Sequence, residues 1–212
     1  ILCPYLYTNI RNEFIDIQIR NLETISEFKE YPGIRVNLIG IIGKTKTPFS
    51  IDFGIGDIVI PSPVERTLPV LLSEFQKPRI FTYSLESTVA EKIDAIIFLM
   101  EVTGRMKDFY DIYYIATSFD FEGRKLQEAI YETLTNRSRA YERNSITDIM
   151  RLTKNIKIQR RWNNFCDKVL NYELDFTDIV KVIIDFILPP YEAIIEEDEF
   201  FKNWSCQTKG YI

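Results

Sequence analysis

The chain has 212 residues, 46% hydrophobic and 27% charged, which supplies a real core for one large domain or two small ones. Its net charge of −5 argues against a protein whose whole surface clings to nucleic acid or to an anionic membrane. There is no histidine, so Ser-His-Asp and Cys-His catalysis and His-rich zinc sites are excluded, and chemistry falls to carboxylates, Lys, Arg, Tyr or a hydrated metal ion.

The three cysteines, Cys3, Cys166 and Cys206, form neither a CxxC pair nor a disulfide framework, a usage that suits a reducing cytoplasm. No apolar run approaches the ~20 residues that span a bilayer, and the N-terminus lacks a signal-peptide pattern. The chain opens on Ile1, so a fragment or a trimmed copy of a longer protein is expected.

In chain order, Phe14 to Arg20 alternates apolar and polar residues and predicts a half-buried strand. Tyr31-Pro32-Gly33 is a turn signal, and Ile34 to Ile42 predicts a second strand. A polar connection over Gly43–Thr47 leads to a third strand, Phe49 to Phe53, and the two outer strands of this trio are expected to pair as a hairpin. Gly54 to Pro63 reads as a loop with a short extended piece at Ile58–Ile60.

From about residue 84 the pattern turns helical. Ser84 is a candidate cap for a helix with Val89, Ile93, Ile96, Ile97 and Met100 on one face, ended by Gly104. Further helices are expected at about 106–116, 124–134, 156–170, 176–188 (stopped by Pro189-Pro190) and 191–201, with a polar loop from Asn136 to Asn144. The expected class is α+β, a small antiparallel or mixed sheet over 1–83 followed by a helical half over 84–212. So few strands would leave one sheet face uncovered. Residues 124–161 carry ten Lys/Arg against four Asp/Glu, and residues 162–199 carry two against ten, a balance that reads first as solvated helix faces and second as a local phosphate-binding face.

Three clusters could carry chemistry. In Ile51-Asp52-Phe53-Gly54-Ile55-Gly56-Asp57, Asp52 points to the face opposite Ile51 and Phe53. If both faces are covered it needs a metal ion or a Lys/Arg partner, whereas an exposed strand-end Asp can bond turn amides. Asp57 reads as a turn residue. In Ser87-Thr88-Val89-Ala90-Glu91-Lys92, Lys92 flanks the buried helix face and can extend its ammonium to a pocket or pair with a surface Glu. In Arg105–Asp111, Lys107, Asp108 and Asp111 share one side of a helix, with a Lys107–Asp111 pair at i,i+4.

Taken together, IDFGIGD, STVAEK and RMKDFYD resemble the core pattern of the AbiEii/AbiGii nucleotidyltransferase toxin family. EYPGIRVNL upstream and FDFEGRKLQEAI, RRWNNFCDK and KNW downstream extend the likeness from about residue 30 onward. The resemblance implies a partial nucleotidyltransferase-fold sheet and a bacterial toxin or abortive-infection protein in the cytoplasm. Such a toxin would use a nucleoside triphosphate with Mg²⁺, act on an acceptor such as tRNA, pair with a cognate antitoxin, and have no membrane partner. It implies Asp52 as a catalytic and metal-binding carboxylate, Lys92 and Asp108 as catalytic residues, and Arg105, Lys107 and Asp111 as nucleotide-binding residues. The basic 124–161 stretch is then a candidate acceptor surface.

The family's Gly-rich turn and Asp-x-Asp strand are not found, and Glu13 to Asp16 is a poor imitation because its acids fall on opposite strand faces. The family would place both elements before residue 1. Two expectations follow: an inactive fragment of an active enzyme, or a catalytically degenerate module that binds an antitoxin or another protein.

Overall fold

The computed structural model describes residues 14–25, 33–54, 59–140 and 142–212. Cys3, Glu13, the Tyr31-Pro32 turn, the Ile55–Asp57 end of the first motif and Ile58 lie outside the described residues. The chain forms two compact units, Ile1–Asp57 and Ile58–Ile212. The class is α+β.

The first unit is an antiparallel three-stranded sheet, β1 (Asp16–Ile25), β2 (Gly33–Ile42) and β3 (Thr45–Phe53). The central strand is β2, so the two outer strands of the trio flank it rather than pair with each other as expected. The reason is the tight turn after Ile42, where Gly43 takes φ 58° and folds β3 directly back onto β2. Period two divides the sheet into an apolar face and a polar one. Val36 and Leu38 on β2 are buried, while Leu22, Phe49, Ile51 and Phe53 beside them stay 37–49% exposed. Opposite them, Asn21 and Asn37 both donate to Glu23 at 2.8 Å, and Arg35 faces Asp52.

The second unit opens with a hairpin that the sequence reading missed, β4 (Val64–Thr67) and β5 (Arg79–Thr82). Then come α1 (Leu85–Leu99), α2 (Met106–Ser118), β6 (Phe121–Glu122), α3 (Gly123–Asn136), α4 (Ser145–Asp148), α5 (Ile156–Phe165), α6 (Phe176–Ile195), β7 (Asn203–Ser205) and β8 (Gly210–Tyr211). The core is built from the faces of α1, α2, α3 and α6, with Ile93, Phe109, Ile112, Leu126, Ile130, Ile183 and Phe186 fully buried. The expected cap on α1 is found: the Ser84 hydroxyl accepts from Ser87 N–H at 3.0 Å. That helix ends at Leu99 rather than at Gly104, because Met100 takes φ 40° and a 3₁₀ turn follows. After α5 the helix widens into a π turn over Cys166–Leu170.

The stop expected at Pro189-Pro190 is also overturned, since α6 runs through both prolines to Ile195 and no helix covers 198–201. Pro190 has no N–H to offer the carbonyl of Phe186, four residues earlier. The Tyr211 hydroxyl takes its place and donates to that carbonyl at 2.6 Å. Tyr211 comes from the C-terminal antiparallel sheet β6–β7–β8, in which Phe121 pairs with Trp204. Trp204 is buried and its indole N–H donates to the Ala116 carbonyl at 2.7 Å, so the closing KNW is an anchor for the helices. No helix among the described residues is long and apolar enough to cross a membrane.

Candidate functional site

The second and third motifs meet. Lys92 leaves α1 at the edge of its buried face, and the first two turns of α2 present Asp108 and Asp111 to it. Lys92 Nζ lies 2.9 Å from Asp108 Oδ1 and 2.6 Å from Asp111 Oδ2. Lys107 Nζ also reaches Asp111 Oδ2 at 2.6 Å, the i,i+4 pair expected from spacing. Arg105 Nε approaches Asp108 Oδ2 at 2.6 Å as a charge contact without an aligned hydrogen bond, so this buried oxygen keeps unused accepting capacity. The side chains of Lys92, Asp108 and Asp111 are 17%, 5% and 19% exposed, whereas Arg105 and Lys107 stand at the mouth, 52% and 70% exposed.

Burial works against the charge on Lys92, but the hydrogen bonds to Asp111 and Asp108 outweigh it and hold the ammonium above its ordinary range. Burial likewise works against Asp111, and the hydrogen bonds from Lys107 and Lys92 outweigh it, keeping the carboxyl below the usual range. Three cations therefore surround two carboxylates, with one positive charge in excess. The inner pairs fix the geometry, and the outer two cations can turn toward an anion.

The rest of STVAEK is structural. The hydroxyls of Ser84 and Ser87 donate to the Ile60 carbonyl at 2.5 and 2.7 Å, and Ile60 N–H returns a bond to Ser87 at 2.7 Å. Downstream, FDFEGRKLQEAI ties the C-terminal segment to α3. Gly123 N–H donates to the Lys202 carbonyl at 3.1 Å, and buried Gln127 donates to the Asp198 carbonyl at 2.6 Å.

In the first unit, Asp52 is held by Arg35, whose Nε and Nη2 each donate to it at 2.7 Å. This pair holds the Asp52 carboxyl below the usual range. The polar side of the sheet at Asp52 is open, its side chain being 51% exposed, so the partner is an arginine in the register-matched position of the next strand. Among the described residues no group of three or more Asp, Glu or Cys is placed to hold a metal ion. Asp52 with Arg35 on its carboxylate does not by itself fit Mg²⁺.

The basic stretch is largely neutralised. Arg124 pairs with Glu199 at 3.1 Å, Lys125 with Glu122 at 2.7 Å, Arg143 with Glu196 at 3.2 Å and Arg151 with Asp148 at 2.6 Å. Arg137 and Arg139 converge on Asp94, at 2.6 and 2.9 Å, and Arg137 also pairs with Glu91. Asp94 is 1% exposed, so this network locks the end of α3 to α1 and was invisible in the sequence as anything but surface charge. Arg161 donates to the buried Thr103 carbonyl at 2.5 Å, bracing the turn before α2.

A model of the AbiEii family, described as a nucleotidyl transferase toxin of a type IV toxin–antitoxin system, matches residues 5–197, most of the chain. No curated protein and no solved structure matches it. The likeness read from IDFGIGD, STVAEK and RMKDFYD is thus upheld over more than half of the sequence, and the chain belongs to the AbiEii family of nucleotidyltransferase-like toxins of type IV toxin–antitoxin systems.

Proposed function

We propose that this chain is part of a bacterial cytoplasmic toxin that transfers a nucleotide from a nucleoside triphosphate, with Mg²⁺, to an acceptor such as tRNA, and that a cognate antitoxin restrains it. The observation that carries the reading is the joining of Lys92 to Asp108 and Asp111, which brings two family motifs into one part-buried cluster with an excess of positive charge. In this reading Arg105 and Lys107, exposed at the mouth, take phosphate oxygens, and Lys92 supplies fixed positive charge behind them. Asp111 holds Lys92 and Lys107 in place. When Arg105 turns from Asp108 toward a phosphate, the Asp108 oxygen it covers becomes free to accept a hydrogen bond from a ligand hydroxyl. Asp52 is the proposed metal carboxylate, which requires Arg35 to release it and further carboxylates from outside the described residues.

One observation favours a second reading, a catalytically degenerate module that engages the antitoxin: Asp52, Lys92, Asp108 and Asp111 are all engaged in ion pairs. Transfer of label from each α-labelled nucleoside triphosphate to RNA separates the two. The enzyme reading expects transfer by the product of the complete coding sequence and its loss in Lys92→Met and Asp108→Asn. Absence of transfer with all nucleotides, alongside retained antitoxin binding, would favour the second.

A further inference from the structure

Beside the ion-pair cluster, the start of α2 faces α5 and its π turn across an open, shallow cleft of about 450 Å³. It is lined by Arg105, Lys107, Arg161 and Lys168, with Asn164 among them and Phe165 as its apolar wall, and no carboxylate residue lines it. Arg105 and Lys107 each answer to an α2 carboxylate, but Arg161 and Lys168 have no carboxylate partner among the described residues. Arg161 is aimed rather than loose, since its Nη1 is tied to the Thr103 carbonyl at 2.5 Å and its other N–H groups have no protein acceptor among the described residues. Arg161 and Lys168 add two uncompensated charges to the one already in excess around Asp108 and Asp111, and on a chain of net charge −5 this is a local exception that a polyanion relieves.

The wall of the cleft continues into an aromatic surface. The ring of Phe165 lies 6.0 Å from that of Tyr110, and Tyr110 stacks on Tyr114 at 6.2 Å with 27° between the planes. The Tyr110 and Tyr172 hydroxyls share a hydrogen bond at 2.9 Å. This bond pushes the Tyr110 phenol up to about 12. Tyr114 and Tyr172 leave 52% and 51% of their surface exposed, which is more apolar face than a site for phosphate alone requires.

We infer that this cleft and its tyrosines form a binding surface for single-stranded nucleic acid, with phosphates on Arg161 and Lys168 and unpaired bases against Tyr114 and Tyr172. Cations that track a backbone next to rings that stack bases are the two parts such a surface needs, and a duplex would keep its base faces from the rings. The inference rests on the reading above only for the strand's role as acceptor. Binding itself needs neither nucleotide nor metal.

The test is fluorescence anisotropy of a labelled single-stranded RNA titrated with the protein in EDTA and without nucleotide, over a series of salt concentrations. The wild type is expected to bind saturably and more tightly to the single strand than to a duplex of the same sequence. Lys168→Ala and Arg161→Gln are expected to weaken binding and to reduce the salt slope by about 0.7 for each phosphate no longer neutralised. Tyr114→Ala is expected to weaken it about 5-fold or more, the equivalent of about 1 kcal/mol of stacking, and Tyr114→Phe to leave it unchanged. Lys181→Ala, an exposed lysine paired with Asp178, is the control. Absence of wild-type binding, preference for the duplex, or equal binding by all variants would overturn the inference. So would variants that lose nucleoside triphosphate binding but keep RNA, since the cleft would then be a triphosphate site. A protein that binds the strand but transfers no nucleotide contradicts only the enzyme reading. One that transfers while its cleft variants bind RNA normally contradicts only this inference.

Discussion

Lys92→Met keeps most of the aliphatic stem and removes the ammonium from between two carboxylates that are 5% and 19% exposed. Removing one partner of a buried ion pair costs about 3–5 kcal/mol, because the other charge is left buried. Two features reduce that figure here: Asp108 retains Arg105, and Asp111 retains Lys107, both at 2.6 Å. Those cations are 52% and 70% exposed, so solvent screens them and they replace Lys92 only in part. A loss of about 2–3 kcal/mol is expected at neutral pH. Urea unfolding reads it as a lower midpoint with an unchanged slope.

The pH dependence gives the sharper check. The folded-state pKa of Asp111 is lowered, so its contribution is complete above about pH 4 and is lost as pH falls through the folded value. Lys92 is raised, so its contribution is complete below about pH 10 and is lost as pH rises through the folded value. The gap between wild type and variant should therefore be flat across neutrality and close at both ends. An unchanged midpoint, or a gap that survives protonation of the carboxylates, would refute the reasoning.

A Cβ on Gly123 would sit 2.2 Å from the Lys202 carbonyl and 2.5 Å from the Phe200 ring, so Gly123→Ala should destabilise by about 2 kcal/mol or more, read by denaturant unfolding. Tyr211→Phe strands the Phe186 carbonyl that Pro190 leaves without a donor, and a loss of about 1–3 kcal/mol is expected. Adding Pro190→Ala should recover part of that loss, and a simply additive double variant would contradict the account of the proline helix. Asp94→Ala removes the buried carboxylate on which Arg137 and Arg139, 18% and 17% exposed, converge; Arg137 keeps Glu91, so the cost in the same assay should be about 2–3 kcal/mol.

Periodicity carried the sequence reading wherever one rule decided the outcome. β1 follows from alternation and β2 from its apolar run after the Tyr31-Pro32-Gly33 turn signal, α1 from Ser84 and its apolar spacing, and the Lys107–Asp111 pair from helix geometry. The motif likeness singled out Lys92, Asp108 and Asp111 as residues, but that they meet depends on how α1 and α2 pack, which spacing within either helix could not give. What escaped the sequence depends on long-range partners. Pro189 and Pro190 read as a stop because the hydroxyl that serves the freed carbonyl comes from Tyr211, 25 positions from Phe186. The short C-terminal strands carry too few residues for a period-two signal, and they exist because Trp204 finds the core. Asp94 stands out in no motif and Arg137 counts among the solvated charges, since nothing local indicates that they meet. Arg161 closes the basic 124–161 stretch already offered as an acceptor surface, but Lys168 lies outside it, and only the fold brings the two to one cleft.

The most direct measurement is calorimetric titration of nucleoside triphosphates, in the presence of Mg²⁺, into the product of the complete coding sequence and into its Lys92→Met and Lys107→Ala variants. Saturable binding of at least one nucleotide is expected, weakened by Lys107→Ala and abolished by Lys92→Met with the folded state intact by circular dichroism. No heat of binding from any nucleotide, or equal binding by all three proteins, would contradict the assignment of this cluster to a nucleotide and leave partner binding as its role.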